Sequence, residues 1–228
     1  MNLLLSTIIV IILALLVKKS KCLDNKGILL ASIMAFILIY FCGLEYLIVL
    51  LSFFILGSLV SRVGLKEKKK KKIAETCRGL NNVIANGLIP MFFAILSIKI
   101  PIFLIAYISS IAAATSDTFS SEIGVLSKEK PRLVTTFEVV EKGTDGAITL
   151  LGTFAGLFGA FLIALIGTIL FNNIKLLLPV TLAGLIGNLA DSLFGALFER
   201  KGLASNEHTN LVATLVGGVF GIIFYLIL

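Results

Sequence analysis

Long apolar runs broken by short polar segments set the pattern of this chain. The runs cover roughly residues 2–17, 28–42, 44–61, 79–98, 101–117, 146–171, 174–197 and 207–228. A membrane-crossing helix needs about 20 mostly apolar residues, and shorter ones suffice in a compact bundle. The pattern therefore predicts an all-α, polytopic transmembrane helix bundle of about eight spans with one long cytoplasmic loop, residues 118–145. Only Gly43 separates the second and third runs, so they form a hairpin or one of them is partly re-entrant. The long loop holds Pro131 and the sequence GTDG at 143–146, which argues against one continuous helix. We read one integral membrane domain over 1–228, with peripheral helices in 1–61 and the core in 74–228.

The polar positions inside the runs are periodic. In RGLNNVIANG, Arg78, Asn82 and Asn86 recur at intervals of four and share one helix face. Asp117, Ser121 and Gly124 share a face if the fifth helix continues that far. Gly184, Asn188, Asp191, Gly195 and Glu199 form a stripe of small and polar residues, and small residues let helices approach closely. Asn206, Asn210, Thr214 and Gly217 repeat the theme at the start of the last run. All four stripes run inward from the same membrane face. They predict a polar cavity open to the cytoplasm, where Asp and Asn stay hydrated or ligated instead of meeting lipid.

Composition narrows the class. Hydrophobic residues make up 58% of the chain and charged residues only 14%, too little polar surface for a soluble domain. The net charge of +7 does not call for nucleic acid. With the N-terminus outside, the segments 18–27, 62–78, 118–145 and 198–206 face the cytoplasm and hold 18 of the 20 basic residues; Lys99 and Lys175 lie outside. This orientation puts both termini outside and the cavity on the cytoplasmic side. The run KEKKKKK at 66–72 reads as a solvated loop beside anionic headgroups. Basic residues follow the first apolar run and no small-residue cleavage site appears, so we expect a retained first helix. The Lys-rich, Trp-free composition points to a prokaryotic cell membrane. Cys22, Cys42 and Cys77 form no CxxC pair, and His208 is the single histidine, which argues against a disulfide framework or a zinc site.

Oxygen donors without clustered His or Cys suit Mg2+, which favours carboxylates, water and substrate phosphates. Mg2+ in turn suits a nucleotide, with Arg78, Lys142 and Arg132 as charge for phosphates. The GTDG turn offers backbone N–H groups to a phosphate. No P-loop and no kinase HRD or DFG set is present. Each polar residue also has a structural reading. Asn82, Asn86 and Asn188 serve equally as helix-to-helix hydrogen bonds, and Ser121 as a back-bond to its own helix. Glu122, Glu138 and Glu141 suit a loop surface. Asp117 and Asp191 resist such a reading best, because neither has a basic residue within a helical turn.

Four segments, RGLNNVIANG, AAATSDTFSSEIG, PRLVTTFEVVEKGTDGAITLLGTFAG and GNLADSLFGALFE, together resemble one integral-membrane family. That family includes plant phytyl-phosphate kinase and the transmembrane protein 19 group (domain-of-unknown-function family ninety-two). The resemblance covers residues 74 to 228. It implies transfer of phosphate from a nucleoside triphosphate, CTP or ATP, to an isoprenyl monophosphate, giving the diphosphate. On that reading Asp117 and Asp191 hold Mg2+, while Arg78 and Lys142 hold the acceptor phosphate and act in catalysis. Asn82, Asn86, Ser121, Glu122, Gly143, Thr144, Asn188, Ser192 and Asn210 bind substrate and nucleotide. The prenyl tail is expected in apolar grooves left by GTFAGLFGAF at 152–161, with tight helix packing as the other account of those glycines. The partners are then an isoprenyl phosphate lipid, a nucleotide and membrane lipids, without nucleic acid; homo-oligomerisation is left open. The rivals are a transporter or lipid scramblase with a cytoplasm-facing cavity, and a cytidylyltransferase forming a CDP-lipid.

Overall fold

The structure is a computed structural model describing residues 2–70 and 77–228. Its helices are α1 (Leu3–Ser20), α2 (Asn25–Ile37), α3 (Leu44–Val60), α4 (Leu65–Lys70), α5 (Leu80–Ser97), α6 (Phe103–Gly124), α7 (Leu150–Leu170), α8 (Leu177–Leu197) and α9 (Asn206–Ile227). A π turn, Leu38–Cys42, extends α2 to Gly43. Gly43 has φ +123°, which only glycine adopts without strain, so the chain reverses there into α3 as a hairpin.

Among the described residues, six segments are long and apolar enough to cross a membrane: Leu3–Ser20, Asn25–Cys42, Leu80–Ser97, Leu150–Leu170, Ile174–Lys201 and Asn206–Ile227. The apolar α3 is shorter, at 17 residues. The 22-residue α6 falls outside the set for a different reason. It is the central helix, packed against α3, α5, α7, α8 and α9, and every residue from Ile105 to Ser116 is buried. A helix shielded by its neighbours has no need of an apolar outer face, so Ser109, Ser110, Thr115 and Ser116 are tolerated.

Small residues bring α8 and α9 onto α6. A Cβ on Gly187 would lie 2.5 Å from Ala113 Cβ, and one on Gly217 2.6 Å from the same atom. The glycines of 152–161 do the same for α7: a Cβ on Gly156 would meet Ser116 O at 3.0 Å, and one on Gly159 would meet Phe119 Cγ at 2.9 Å. Of the two accounts of these glycines, close helix packing is the one the structure has, and the groove expected for the prenyl tail is not formed beside them. The space beside these glycines is filled by α6, leaving no groove there.

The segment read as a loop from 118 begins later, because α6 continues to Gly124. The loop also carries the one departure from an all-α fold among the described residues, an antiparallel ribbon pairing β1 (Arg132–Leu133) with β2 (Ala147–Ile148). A further correction concerns the lysine run. Lys71 and Lys72 lie outside the described residues, but Lys68 on α4 is 1% exposed and donates to Glu122 Oε2 at 2.5 Å. Lys68 is thus no solvated headgroup contact, and Glu122 is no loop-surface acid: it sits on the last turns of α6, where its charge needs a partner once half-buried.

Candidate functional site

The four polar stripes converge at one end of the bundle. The starts of α5, α7 and α9 and the ends of α6 and α8 surround a cavity of about 390 Å3. Arg78, Asn82, Asn86, Asp117, Ser121, Glu122, Lys142, Gly143, Thr144, Asn188, Asp191, Ser192 and Asn210 all line it. The structure therefore brings together the nominated residues except Arg132, which is exposed on the loop and donates to Phe137 O at 2.9 Å instead of lining the cavity.

Asp117 on α6 and Asp191 on α8 come within hydrogen-bonding reach of one another. Asp191 Oδ1 is buried without a hydrogen-bond partner. Glu199 also acts electrostatically on Asp191, although the sequence puts a two-turn gap between them on a continuous helix. The reason is that α8 ends at Leu197, and the 3-10 turn Glu199–Lys201 folds the acid back over the cavity. A carboxylate atom left unpartnered in a low-dielectric site is costly unless a cation completes it. Among the described residues no group of three or more His, Cys, Asp and Glu side chains converges as a ready-made metal cage. Two carboxylates suffice for Mg2+, which keeps several waters and takes the rest of its shell from phosphates, so this donor set fits that ion.

Arg78 faces this pair from outside the helices. Its backbone bridges to the α1–α2 connection: Arg78 N–H donates to Cys22 O at 2.9 Å, and Asp24 N–H donates to Arg78 O at 3.1 Å. Asp24 is itself fixed as the α2 cap by Gly27 N–H at 2.6 Å. The guanidinium donates to Ser61 Oγ at 3.5 Å and passes over Gly57, where a Cβ would come within 3.3 Å of Nη1. It acts electrostatically on Asp117 yet lies beyond ion-pair contact, since Lys68–Glu122 is the one salt bridge within 4.0 Å among the described residues.

Other nominated residues hold different positions. Lys142 Nζ donates to the carbonyls of Ser127 and Val125, the latter at 3.3 Å, just beyond the end of α6. Two of its three protons are spent on the loop. Asn86 Nδ2 donates to Asn82 O at 3.1 Å and leaves Asn86 Oδ1 buried and unpartnered. Asn210 Nδ2 donates to Asn206 O at 2.9 Å, and Ser121 Oγ back-bonds to Thr118 O at 3.2 Å. The GTDG turn docks on α8: Gly146 has φ +73°, and a Cβ there would lie 2.3 Å from Ala196 N. Gly143 and Thr144 reach the cavity through that contact.

The sequence reading missed Asp145 and Thr149 as lining residues. It placed Gly195, Glu199 and Asn206 on the polar stripes without naming them as site residues, and Ser120 lines the cavity as well. The signal for Asp145 was an acid between two positions needing glycine, read only for its backbone N–H groups. Counting them changes the electrostatics. Asp117, Glu122, Asp145, Asp191 and Glu199 line the cavity against Arg78 and Lys142. A net-acidic pocket disfavours a bare anion away from Arg78 and favours one that arrives with divalent counter-charge.

Residues 8–218 match the family described as integral membrane protein DUF92. The chain belongs to the DUF92 family. It is 67% identical to an uncharacterized membrane protein of Methanocaldococcus jannaschii, over 96% of this chain and 93% of that protein. It is 32% identical to Protein VTE6, chloroplastic, of Arabidopsis thaliana, over 75% of this chain and 56% of that one. Protein PGR of the same plant is 30% identical over 82% of this chain and 75% of its own length. No solved structure matches this DUF92 protein. The matched span includes α1 to α3, which the resemblance read from the sequence leaves out, and these are the helices whose connections seat Arg78.

Proposed function

We propose that this DUF92 protein is a membrane-embedded isoprenyl-phosphate kinase that uses CTP or ATP. The observation that carries the reading is the Asp117–Asp191 pair, with Asp191 Oδ1 buried and unpartnered, in an acidic cavity overlooked by Arg78. All eight long helices span the bilayer on this reading, with α6 crossing inside a ring of the others. Both termini lie outside, and the cavity faces the cytoplasm, where the basic segments gather.

Asp117 and Asp191 would hold Mg2+, which supplies charge neutralisation to the nucleotide's phosphates. Arg78 binds the acceptor phosphate, and its planar fork suits two phosphate oxygens at once. Lys142 contributes its remaining proton and holds the GTDG turn near the transferred group. Asn82, Asn86, Asn188 and Asn210 orient the ligands from the walls. An acceptor phosphate oxygen attacks the terminal phosphorus of the nucleotide. The bond to the bridging oxygen breaks, and the nucleoside diphosphate leaves. The acceptor is already anionic, so no strong general base is needed; positioning and charge neutralisation carry the rate.

Purified protein incubated with Mg2+, CTP or ATP and geranylgeranyl phosphate tests this. The expected products are the diphosphate lipid and a nucleoside diphosphate, with turnover abolished in a folded Asp117→Asn variant. Pyrophosphate release would instead mark a cytidylyltransferase, and substrate flux in liposomes without chemistry a transporter. Against transport stands the other end of the bundle, where Tyr107, Ile108 and Phe93 lie buried in one apolar cluster with Phe171 packed on it.

A further inference from the structure

A second cavity, of about 100 Å3, lies between α1, α2, α3 and α5. Its walls are almost wholly apolar. On α1 they are Val10, Leu13, Ala14 and Val17, one face of the helix over a length of about 10 Å. Ala31 on α2 and Leu51 on α3 stand opposite. Arg78, Asn82 and Asn86 line this groove and the polar cavity alike, so the two spaces share one wall. That wall carries a guanidinium and the unpartnered buried Asn86 Oδ1.

We infer that this groove seats the isoprenyl units nearest the acceptor's phosphate, with the phosphate passing Arg78 into the acidic cavity. The inference rests on the kinase reading for the identity of the headgroup. Its own basis is the junction: an apolar channel that ends at a cation fits a single-chain lipid with an anionic head. A bulk phospholipid has two tails, and a volume of about 100 Å3 leaves no room for both. The seat is therefore specific for a slender chain, and α1 and α2 serve as its outer wall.

The test uses the full-length protein in detergent. A diazirine placed on the second isoprenyl unit of geranylgeranyl phosphate should crosslink to α1, α2 or α3, at residues such as Leu13, Ala31 or Leu51. Excess unlabelled geranylgeranyl phosphate should abolish the labelling, and excess phosphatidylglycerol should not. Labelling on α7 or α9, or labelling competed equally by phosphatidylglycerol, overturns the inference. Where the wild-type protein turns over, Ala31→Trp should lower the preference for geranylgeranyl over dimethylallyl phosphate, as a ratio of kcat/KM, by about tenfold or more, the scale of one lost chain contact. An unchanged ratio in the folded variant overturns the groove while leaving the kinase reading standing. Specific labelling of a protein that makes no diphosphate would do the reverse.

Discussion

Replacing Asp191 by asparagine removes one ionisable group and almost no volume, at the point where the cavity's electrostatics are most crowded. Asp117 and Asp191 lie within hydrogen-bonding reach, with Glu199 acting on the same side chain. Two carboxylates on the order of 4 Å apart, both ionised, would repel by about 4 kcal/mol at an effective dielectric constant of about 20, and a proton shared between them relieves part of that. Arg78 offsets part of that, and about 2 kcal/mol is a working figure for the strain relieved by the substitution. For a chain of this size each kcal/mol moves the melting point by about 2–4 °C. In EDTA, Asp191→Asn should therefore melt about 4–8 °C above the wild type. With Mg2+ and CTP or ATP the order should reverse, because the wild type gains stability from the ligand and the variant does not. Phosphoryl transfer should fall at least about 100-fold, the usual cost of removing one charge-stabilising group. The assay is a thermal melt in detergent with and without Mg2+, paired with product formation. A variant that melts like the wild type in EDTA and gains as much from Mg2+ and nucleotide would refute both the crowding and the metal role.

Three further expectations test the scaffold. Lys68→Ala should destabilise the protein by about 2–3 kcal/mol, because it strands a half-buried Glu122; adding Glu122→Ala should restore part of that, read as a double-mutant cycle in denaturant melts. Gly187→Ala should cost about 1–3 kcal/mol, since its Cβ would lie 2.5 Å from Ala113 Cβ and 2.7 Å from Ala213 O; a lower melting temperature checks it. Burial alone would raise the Cys22 thiol, but hydrogen bonds from Ser20, Ser58 and Arg62 and the Arg62 charge bring it below its usual range. Arg62→Ala should lift it again, so Cys22 carries less thiolate near neutral pH and alkylates about two- to threefold more slowly, measured in a Cys42→Ser, Cys77→Ser background.

The site was legible to an unusual degree because its residues sit on helices. Spacings of three and four put Asn82 beside Asn86 and Asp191 beside Asn188 whatever the surroundings. The helix ends were harder. Apolar character stops near Ser116, yet α6 runs on to Gly124 because α7 packs along it: a Cβ on Gly124 would meet Gly152 Cα at 3.3 Å. Lys68 was illegible among identical neighbours, since nothing local distinguishes it from Lys66 or Lys69. The glycines of 152–161 were ambiguous for a related reason. Glycines in α7 are equally consistent with an open groove and with a close helix contact, and only the neighbour's position separates the two.

Hydropathy, period and charge bias are sums over one segment, so the sequence alone determined the membrane class, the apolar helices apart from the end of α6, and the face of each helix that carries polar groups. The tertiary structure decided which faces meet. It paired Lys68 with Glu122 across 54 residues, seated Arg78 through a backbone bridge to Leu23, and joined an apolar groove to the acidic cavity. Those outcomes depend on close packing between helices distant in sequence, where a difference of one methyl group opens or closes a contact.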